Sequence, residues 1–237
     1  METTGLPEHR VVEVTDERGP LARRAISLIQ EAIWDVHPTG FLLRELEETR
    51  RGTARGGGYH LLAMVGADDE EPLAAAAGAY LQAVNAGFVS YLAVREDLRG
   101  RGLGRALREH LLDTFRAQAR REGGAELGNV LGEVERESPW LRMMVREGRV
   151  MPLAFPYFHP WMSRHSEGYY ALYREPLADT RPELPAEEVA DMVDAIWRRA
   201  YRVHAPQQRD TWRYMMESLK DRATVGADPD FLRPLSS

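Results

Sequence analysis

Residues 92–107, LAVREDLRGRGLGRAL, are the part of this 237-residue chain that decides the fold. An apolar strand pattern ending at Val94 runs into a loop with glycine at alternate positions, and the loop runs directly into a helical pattern. The glycines are Gly100, Gly102 and Gly104, and the cations are Arg99, Arg101 and Arg105. Glycine lets the backbone approach a ligand closely, and a helix N-terminus offers N–H groups and the positive end of a dipole. The stretch therefore predicts a site for a phosphate or pyrophosphate, to which the arginines add positive charge.

Two common phosphate-binding motifs do not fit this loop. A P-loop requires a lysine directly after its last glycine, whereas the single lysine of the chain is the distant Lys220. A dinucleotide-binding loop requires G-x-G-x-x-G after the first strand. Here Arg105 stands where the third glycine belongs, and several predicted strands precede the loop.

Strand and helix patterns alternate up to about residue 177, and only helices are predicted after it. Alternating or continuous apolar residues predict strands at 9–15, 59–66, 72–84, 87–94, 126–135, 150–158 and 168–175. The strand at 87–94 is apolar on both faces, which is typical of a central strand covered on both sides. Apolar residues at helical spacing predict helices at 20–36, 40–51, 103–120 and 139–147. Apolar stripes at 189–201 and 212–219 predict further helices, which must be buried on the main domain or on a partner chain.

Composition restricts the partners and the compartment. The net charge of -6 does not favour binding to duplex nucleic acid, and the absence of cysteine excludes disulfides and thiolate sites. The N-terminus has no apolar stretch of the kind found in a signal peptide, and the longest apolar run, residues 73–81, is too short to cross a bilayer. We therefore expect a cytoplasmic protein without a nucleic-acid or membrane partner. The abundance of arginine, alanine and glycine favours GC-rich coding and a bacterial source.

The pattern Arg-x-x-Gly-x-Gly at residues 99–104, on a strand that ends Leu-x-Val, resembles the acyl-CoA-binding segment of the GNAT family of N-acetyltransferases. The order of the predicted elements over residues 9–177 is similar to that family as well. The resemblance implies an α/β fold of the layered α+β type, with a mixed, mostly antiparallel central sheet flanked by helices. It implies a GNAT-like acyltransferase domain over residues 1–177, followed by a helical C-terminal extension over 178–237.

The resemblance also implies a co-substrate and an activity. The loop amides would hold the pyrophosphate of acetyl-CoA, and the backbone of the preceding strand would bind its pantetheine arm. The implied CoA-binding residues are Leu92, Ala93, Val94, Arg99, Gly100, Arg101, Gly102, Leu103, Gly104 and Arg105. The implied enzyme moves an acetyl or short acyl group from acetyl-CoA, without a metal, to a primary amine of a small molecule or peptide.

Glu133, Glu135 and Tyr157 are the predicted catalytic residues. Many relatives carry a tyrosine that protonates the departing CoA thiolate, but Met144 stands at that position here. Glu133 and Glu135 are two residues apart on a predicted strand and therefore share a face, so one of them could accept the amine proton or bind a cationic substrate. Tyr157 or His159 could replace the missing acid or shape the acceptor pocket. The alternatives are that the carboxylates lie at the surface and that the aromatic rings only pack.

Two other functions remain open at this point. A binding module could keep the CoA loop and act as a sensor or scaffold without catalysis, and Met144 gives that alternative weight. A different nucleotide-phosphate binder, such as an ATP user, is the second alternative. The apolar stripes of the extension further predict a homodimer, in which these helices pack between two copies.

Overall fold

The computed structural model describes residues 8–67 and 71–232. The acidic run at residues 68–71, between the predicted strands at 59–66 and 72–84, is expected to form a turn, and most of it lies outside the described residues. The chain divides into two compact units. The first contains residues 1–80 and 89–121, and the second contains residues 81–88 and 122–237.

The first unit is built on strands with the order β1-β2-β3-β4 and on three helices. The strands are β1 (Arg10–Glu13), β2 (Tyr59–Val65), β3 (Pro72–Leu81) and β4 (Ala86–Val94), and the helices are α1 (Pro20–Ala32), α2 (Thr39–Arg50) and α3 (Leu103–Gly123). The β1–β2 and β2–β3 pairs are antiparallel. Every residue of β2 and β3 is buried. Four consecutive alanines in β3 suit this position, because side chains of a single carbon let neighbouring elements pack closely.

β4 begins in the second unit and continues into the first. Its residues from Ala86 to Val89 are buried, whereas Ser90, Leu92 and Val94 are partly exposed. The predicted covering of this strand on both faces therefore holds only for its first half. One face of the second half is open, and the strands covered on both faces along their whole length are β2 and β3.

The second unit contains the strand order β4-β5-β7-β6. Its elements are β5 (Asn129–Glu135), α4 (Pro139–Arg146), β6 (Met151–Pro152), β7 (Tyr170–Pro176), β8 (Leu184–Pro185), α5 (Ala186–Ala195), α6 (Asp210–Lys220), β9 (Thr224–Val225) and α7 (Pro229–Leu232). β5 and β6 each pair antiparallel with β7, with Glu133 opposite Leu172 and Glu135 opposite Tyr170. The mixed α/β fold with a mostly antiparallel sheet flanked by helices is therefore confirmed. The domain boundary between residues 177 and 178 stays a prediction.

Two element predictions were wrong. The predicted strand at 150–158 is reduced to Met151–Pro152, followed by isolated bridges from Leu153 to Ala227 and from Tyr157 to Tyr170. Prolines at positions 152, 156 and 160 interrupt this segment, because proline lacks the N–H group that a strand ladder needs. The extension is not purely helical either, since β8 and β9 form a short antiparallel pair.

The apolar stripe of the extension is buried within a single chain. Its most buried members, each at most 3% exposed, are Val189, Met192, Val193, Ile196 and Trp197. Burial of this stripe therefore does not require a second copy, and the homodimer stays a prediction that the stripe no longer supports. None of the helices in the described residues is both long and apolar enough to cross a membrane.

Candidate active site

The glycine loop, residues 99–104, uses its glycines for two different purposes. Gly100 and Gly102 adopt positive φ angles of 78° and 84°, in the left-handed region where a side chain is strained. Gly104 is needed for space, because a Cβ there would lie 3.3 Å from Cγ2 of Val94 and 3.8 Å from Cδ2 of Leu92. The first turn of α3 therefore packs directly against the end of β4.

The loop places backbone N–H groups at the N-terminus of α3. The helix begins at Leu103, and the N–H group of Ala106 donates to the carbonyl oxygen of Gly102 at 3.1 Å. The N–H groups of the residues before Ala106 precede this first helical bond and point out of the helix end. Exposed arginine side chains surround them, at Arg99, Arg101 and Arg105. These groups fit a phosphate, and the partly exposed side chains of Leu92 and Val94 lie beside the first turn of α3.

A buried carboxylate is the centre of a second group of polar side chains, on the second unit. The Tyr157 hydroxyl donates to Oε2 of Glu133 at 2.6 Å, and the Tyr201 hydroxyl donates to Oε1 of the same carboxylate. Nε2 of His159 lies 3.7 Å from that Oε1 atom. The Glu133 side chain is only 9% exposed. We call these four residues the Glu133 cluster.

The hydrogen bonds of His159 fix its tautomer. The backbone N–H group of Trp161 donates to Nδ1 of His159 at 3.3 Å, so this nitrogen carries the lone pair and Nε2 carries the proton. That proton is on the nitrogen nearest to Glu133. Ring contacts with Tyr201 at 4.7 Å and with Tyr170 at 5.9 Å hold the imidazole in place. In this arrangement His159 is a neutral donor rather than a base.

Tyr157 holds its proton tightly. The side chain is fully buried, and this burial, followed by the charge of Glu133, raises the pKa of Tyr157 well above its ordinary value of 10. A hydroxyl with a raised pKa is a weaker acid. The environment of Tyr157 therefore favours a donor that orients Glu133 over an acid that releases its proton.

The structure brings Glu133 and Tyr157 together but places Glu135 in a different setting. The Tyr169 hydroxyl donates to Oε1 of Glu135 at 2.7 Å, and Tyr169 is 41% exposed. Glu133 is therefore bonded to buried tyrosines, whereas Glu135 is bonded to an exposed one. The catalytic roles assigned to Glu133, Glu135 and Tyr157 stay predictions, and of the two carboxylates the geometry favours Glu133.

Comparisons with known proteins agree with the resemblance that the glycine loop suggests. Residues 26–127 match the model of the Acetyltransferase (GNAT) family, and this stretch includes the glycine loop. Over residues 26–127, the chain matches a GNAT domain. Among solved structures, it is similar to the ribosomal-protein-S18-alanine N-acetyltransferase from Escherichia coli, with 14% identity, 73% of this chain and 96% of that chain covered, and a TM-score of 0.51. It is also similar to a chain of the NatC complex bound to Gag peptide and CoA, with 15% identity and a TM-score of 0.50. The match covers 72% of this chain and 99% of that chain.

At these identities the solved structures show that the fold is shared, and no curated protein matches the sequence. The GNAT assignment supports acetyl transfer in general terms.

Met144 stands where the resemblance predicts a tyrosine, and its side chain packs in the core. Met144 is 2% exposed and belongs to an apolar cluster in the second unit, with Leu141, Val150, Ala171 and Tyr173. A thioether carries no exchangeable proton, so Met144 cannot act as an acid. Among the residues that the structure describes, no group of three or more histidine or acidic side chains could hold a metal ion.

The first helix pair of the GNAT domain holds another polar contact. The backbone N–H group of His37 donates to the Tyr91 hydroxyl at 3.2 Å, and that hydroxyl lies 3.3 Å from Nδ1 of His37. Burial lowers the pKa of His37, so its ring stays neutral near pH 7. Trp34, close by in sequence, is 71% exposed. The position of Trp34 near the first predicted helix pair makes it a candidate for contact with an acceptor, and this assignment is a prediction.

Tyr201 is the member of the Glu133 cluster that sequence reasoning missed. Tyr201 ends the apolar stripe predicted for residues 189–201, and the apolar pattern predicts only that its ring packs. The signal was present but weak: Tyr201 carries the one hydroxyl of that stripe. Its direction depends on a π-helical turn at Ile196–Ala200, which a regular helical period does not predict.

Proposed function

We propose that this chain is an acyl-CoA-dependent N-acetyltransferase that acetylates a primary amine of a small molecule or peptide. The observation that carries the proposal is the glycine loop, in which left-handed Gly100 and Gly102 present the first turn of α3 beside the open face of β4. Acetyl-CoA, when bound, supplies the activated acetyl group. Because its use requires a supply of acetyl-CoA, we place the protein in the cytoplasm.

The loop and strand residues have distinct roles in this proposal. The N–H groups of Leu103, Gly104 and Arg105 bind the pyrophosphate, and the exposed arginines balance its negative charge. The backbone from Leu92 to Val94 binds the extended arm by strand-like hydrogen bonds. Gly104 permits the close contact between α3 and β4 that holds both groups in position.

Glu133 is the proposed base. An amine that arrives protonated must lose a proton before it can attack, and a carboxylate held in a fixed position can take that proton. The Glu133 side chain is 9% exposed and is held at both oxygens by tyrosine hydroxyls. The excess of acidic residues in the chain is compatible with a cationic acceptor such as a polyamine, an aminoglycoside or an amino-acid derivative.

The test is the release of free CoA from acetyl-CoA in the presence of a panel of amines. A thiol reagent is well suited to it, because the chain has no cysteine and the only thiol formed is that of CoA. We expect Glu133→Gln to lower kcat/KM by at least about 100-fold, the usual size of an acid–base contribution. The matched control Glu135→Gln should leave kcat/KM within a few-fold of wild type, because the Glu135 side chain is bonded to a surface tyrosine.

A CoA-binding module without catalysis is the second candidate, and the buried Met144 favours it. It predicts that CoA and acetyl-CoA bind and that no amine on the panel releases CoA. If Glu133→Gln acetylated amines as fast as wild type, the proposed base would be wrong even though the activity was present.

A further inference from the structure

The C-terminal extension supplies one of the hydrogen bonds on the proposed base. Tyr201 follows α5 in this extension, and its hydroxyl donates to Oε1 of Glu133 on β5. Tyr157 donates to the other oxygen of the same carboxylate. The two oxygens of one buried carboxylate are therefore held by residues from separate segments of the second unit.

The backbone departs from regular helix where it delivers Tyr201. After Ala195 the helix continues as one π-helical turn, Ile196–Ala200, and the N–H group of Tyr201 donates to the carbonyl oxygen of Ile196, five residues back, at 3.2 Å. The next residue, Arg202, has a φ angle of 53°, in the left-handed region that a side chain disfavours. π-helical turns and strained backbone are frequent at functional sites.

The Tyr201 ring is fixed on two sides. It lies 4.7 Å from the His159 ring and 6.2 Å from the Phe88 ring, in edge-on geometry at both contacts. Tyr201 is 7% exposed, whereas Tyr157 is 1% exposed. A hydroxyl held this firmly has a defined direction, so its bond to Glu133 is a stable feature of the second unit.

The titratable groups around Glu133 determine the effect of that bond. They include Tyr157, His159, Tyr170 and Tyr201, and the hydrogen bond from the Trp161 N–H group to Nδ1 makes His159 a neutral ring with its proton on Nε2. A neutral donor favours the charged form of a carboxylate, and burial favours the uncharged form. Loss of the Tyr201 hydroxyl would therefore make Glu133 easier to protonate and free one of its oxygens to move.

We propose that Tyr201 is a positioning residue that keeps Glu133 ionised and correctly oriented, so that the C-terminal extension is part of the acid–base apparatus. The kinetic consequence rests on the proposed function, whereas the effect on Glu133 itself does not. The NMR titration therefore tests the effect of Tyr201 on Glu133, and the kinetics test acetyl transfer.

The first measurement is the titration of the Glu133 carboxyl carbon by ¹³C NMR in the full-length protein, with Glu133→Gln to assign the signal. We expect Tyr201→Phe to move the titration midpoint upward by about one pH unit, which corresponds to the loss of one hydrogen bond. The matched control is Tyr214→Phe. Tyr214 lies in the same extension and its hydroxyl donates to a carboxylate at 2.8 Å, but that carboxylate is Glu167, outside the cluster. This control should leave the midpoint unchanged.

A second variant tests the inference independently, in case Tyr201→Phe does not fold. Site-specific replacement of Tyr201 by 3-fluorotyrosine keeps the ring and makes the hydroxyl a stronger donor, so the Glu133 midpoint should move downward. An unchanged midpoint in a folded Tyr201→Phe protein, or an upward shift with the fluorinated ring, would overturn the inference.

The second measurement is the pH dependence of kcat/KM for acetyl transfer. The pH midpoint of the acid limb should move upward in Tyr201→Phe by the same amount as the NMR midpoint. In a Glu133→Gln background, Tyr201→Phe should not lower kcat/KM further. A kinetic loss of equal size in both backgrounds would mean that Tyr201 does not act through Glu133. If the NMR midpoint shifts but no amine is acetylated, the positioning inference stands and the proposed function is wrong.

Discussion

At the scale of single residues, an ion pair in the first unit shows how a local contact creates pH dependence. Nε and Nη2 of Arg50 donate to the two carboxylate oxygens of Glu17, each at 2.9 Å. These hydrogen bonds lower the pKa of Glu17 from its ordinary value of 4.5 to about 2. The pair ties the segment before α1 to the last turn of α2.

This lowered pKa predicts the acid response of the folded chain. Glu17 is easier to protonate in the unfolded chain, so the stabilisation is complete above about pH 4.5 and is lost as the pH falls toward 2. We expect Glu17→Gln to have a lower free energy of unfolding than wild type at pH 7, and this difference should shrink between pH 5 and pH 2. Urea unfolding at several pH values measures it. A difference that is the same at pH 7 and pH 3 would contradict the assignment.

The sequence predicts some individual residues well because their signals are local. The glycines at 100, 102 and 104 follow from spacing alone, and the structure gives each a reason in its φ angle or its packing. Glu133 and Tyr157 were singled out separately and are hydrogen-bonded. The hydrogen bond from Tyr201 to Glu133 could not be predicted. A single π-helical turn changes the direction of the Tyr201 side chain, and the apolar pattern does not indicate such a turn.

At the scale of elements, prediction succeeded wherever the apolar pattern was long. The helices at Pro20–Ala32, Thr39–Arg50 and Leu103–Gly123 match their predicted positions within a few residues, except that α1 ends four residues early. The predicted strand at 150–158 failed because its apolar and aromatic residues are separated by prolines, and these residues are buried without a strand ladder. Burial alone therefore does not identify a strand.

Helix α5 and the turn that follows it give a test of the extension. Trp197 is fully buried in the π-helical turn, whereas Trp161 is 58% exposed. We expect Trp197→Ala to lower the free energy of unfolding by about 3–5 kcal/mol, the usual cost of removing a buried large aromatic side chain. Trp161→Ala should change it by no more than about 1 kcal/mol. Urea unfolding followed by circular dichroism measures both. Equal costs for the two substitutions would show that the extension does not pack as described.

At the scale of the whole molecule, the extension shares one compact unit with β5 and β7. The sequence predicts a helical extension over residues 178–237, because the strand patterns end there, and it leaves open whether these helices are buried on the main domain or on a partner chain. The packing of a later segment around an earlier one is a long-range property that no local pattern records. For the same reason, no local pattern predicts that Tyr157 and Tyr201, on either side of position 177, both donate to Glu133.

The central claim about the whole molecule is that it binds acyl-CoA through the glycine loop, and the most direct test is calorimetric titration with acetyl-CoA. The variant Gly102→Glu places a side chain and a negative charge at a left-handed position of the loop. The control Gly124→Glu makes the same change at a left-handed glycine outside the loop, where a Cβ also meets no atom within 4 Å. We predict that wild type and Gly124→Glu bind acetyl-CoA equally, and that Gly102→Glu binds at least about 10-fold more weakly, or about 1.4 kcal/mol. No binding by wild type, or equal binding by Gly102→Glu, would contradict the account.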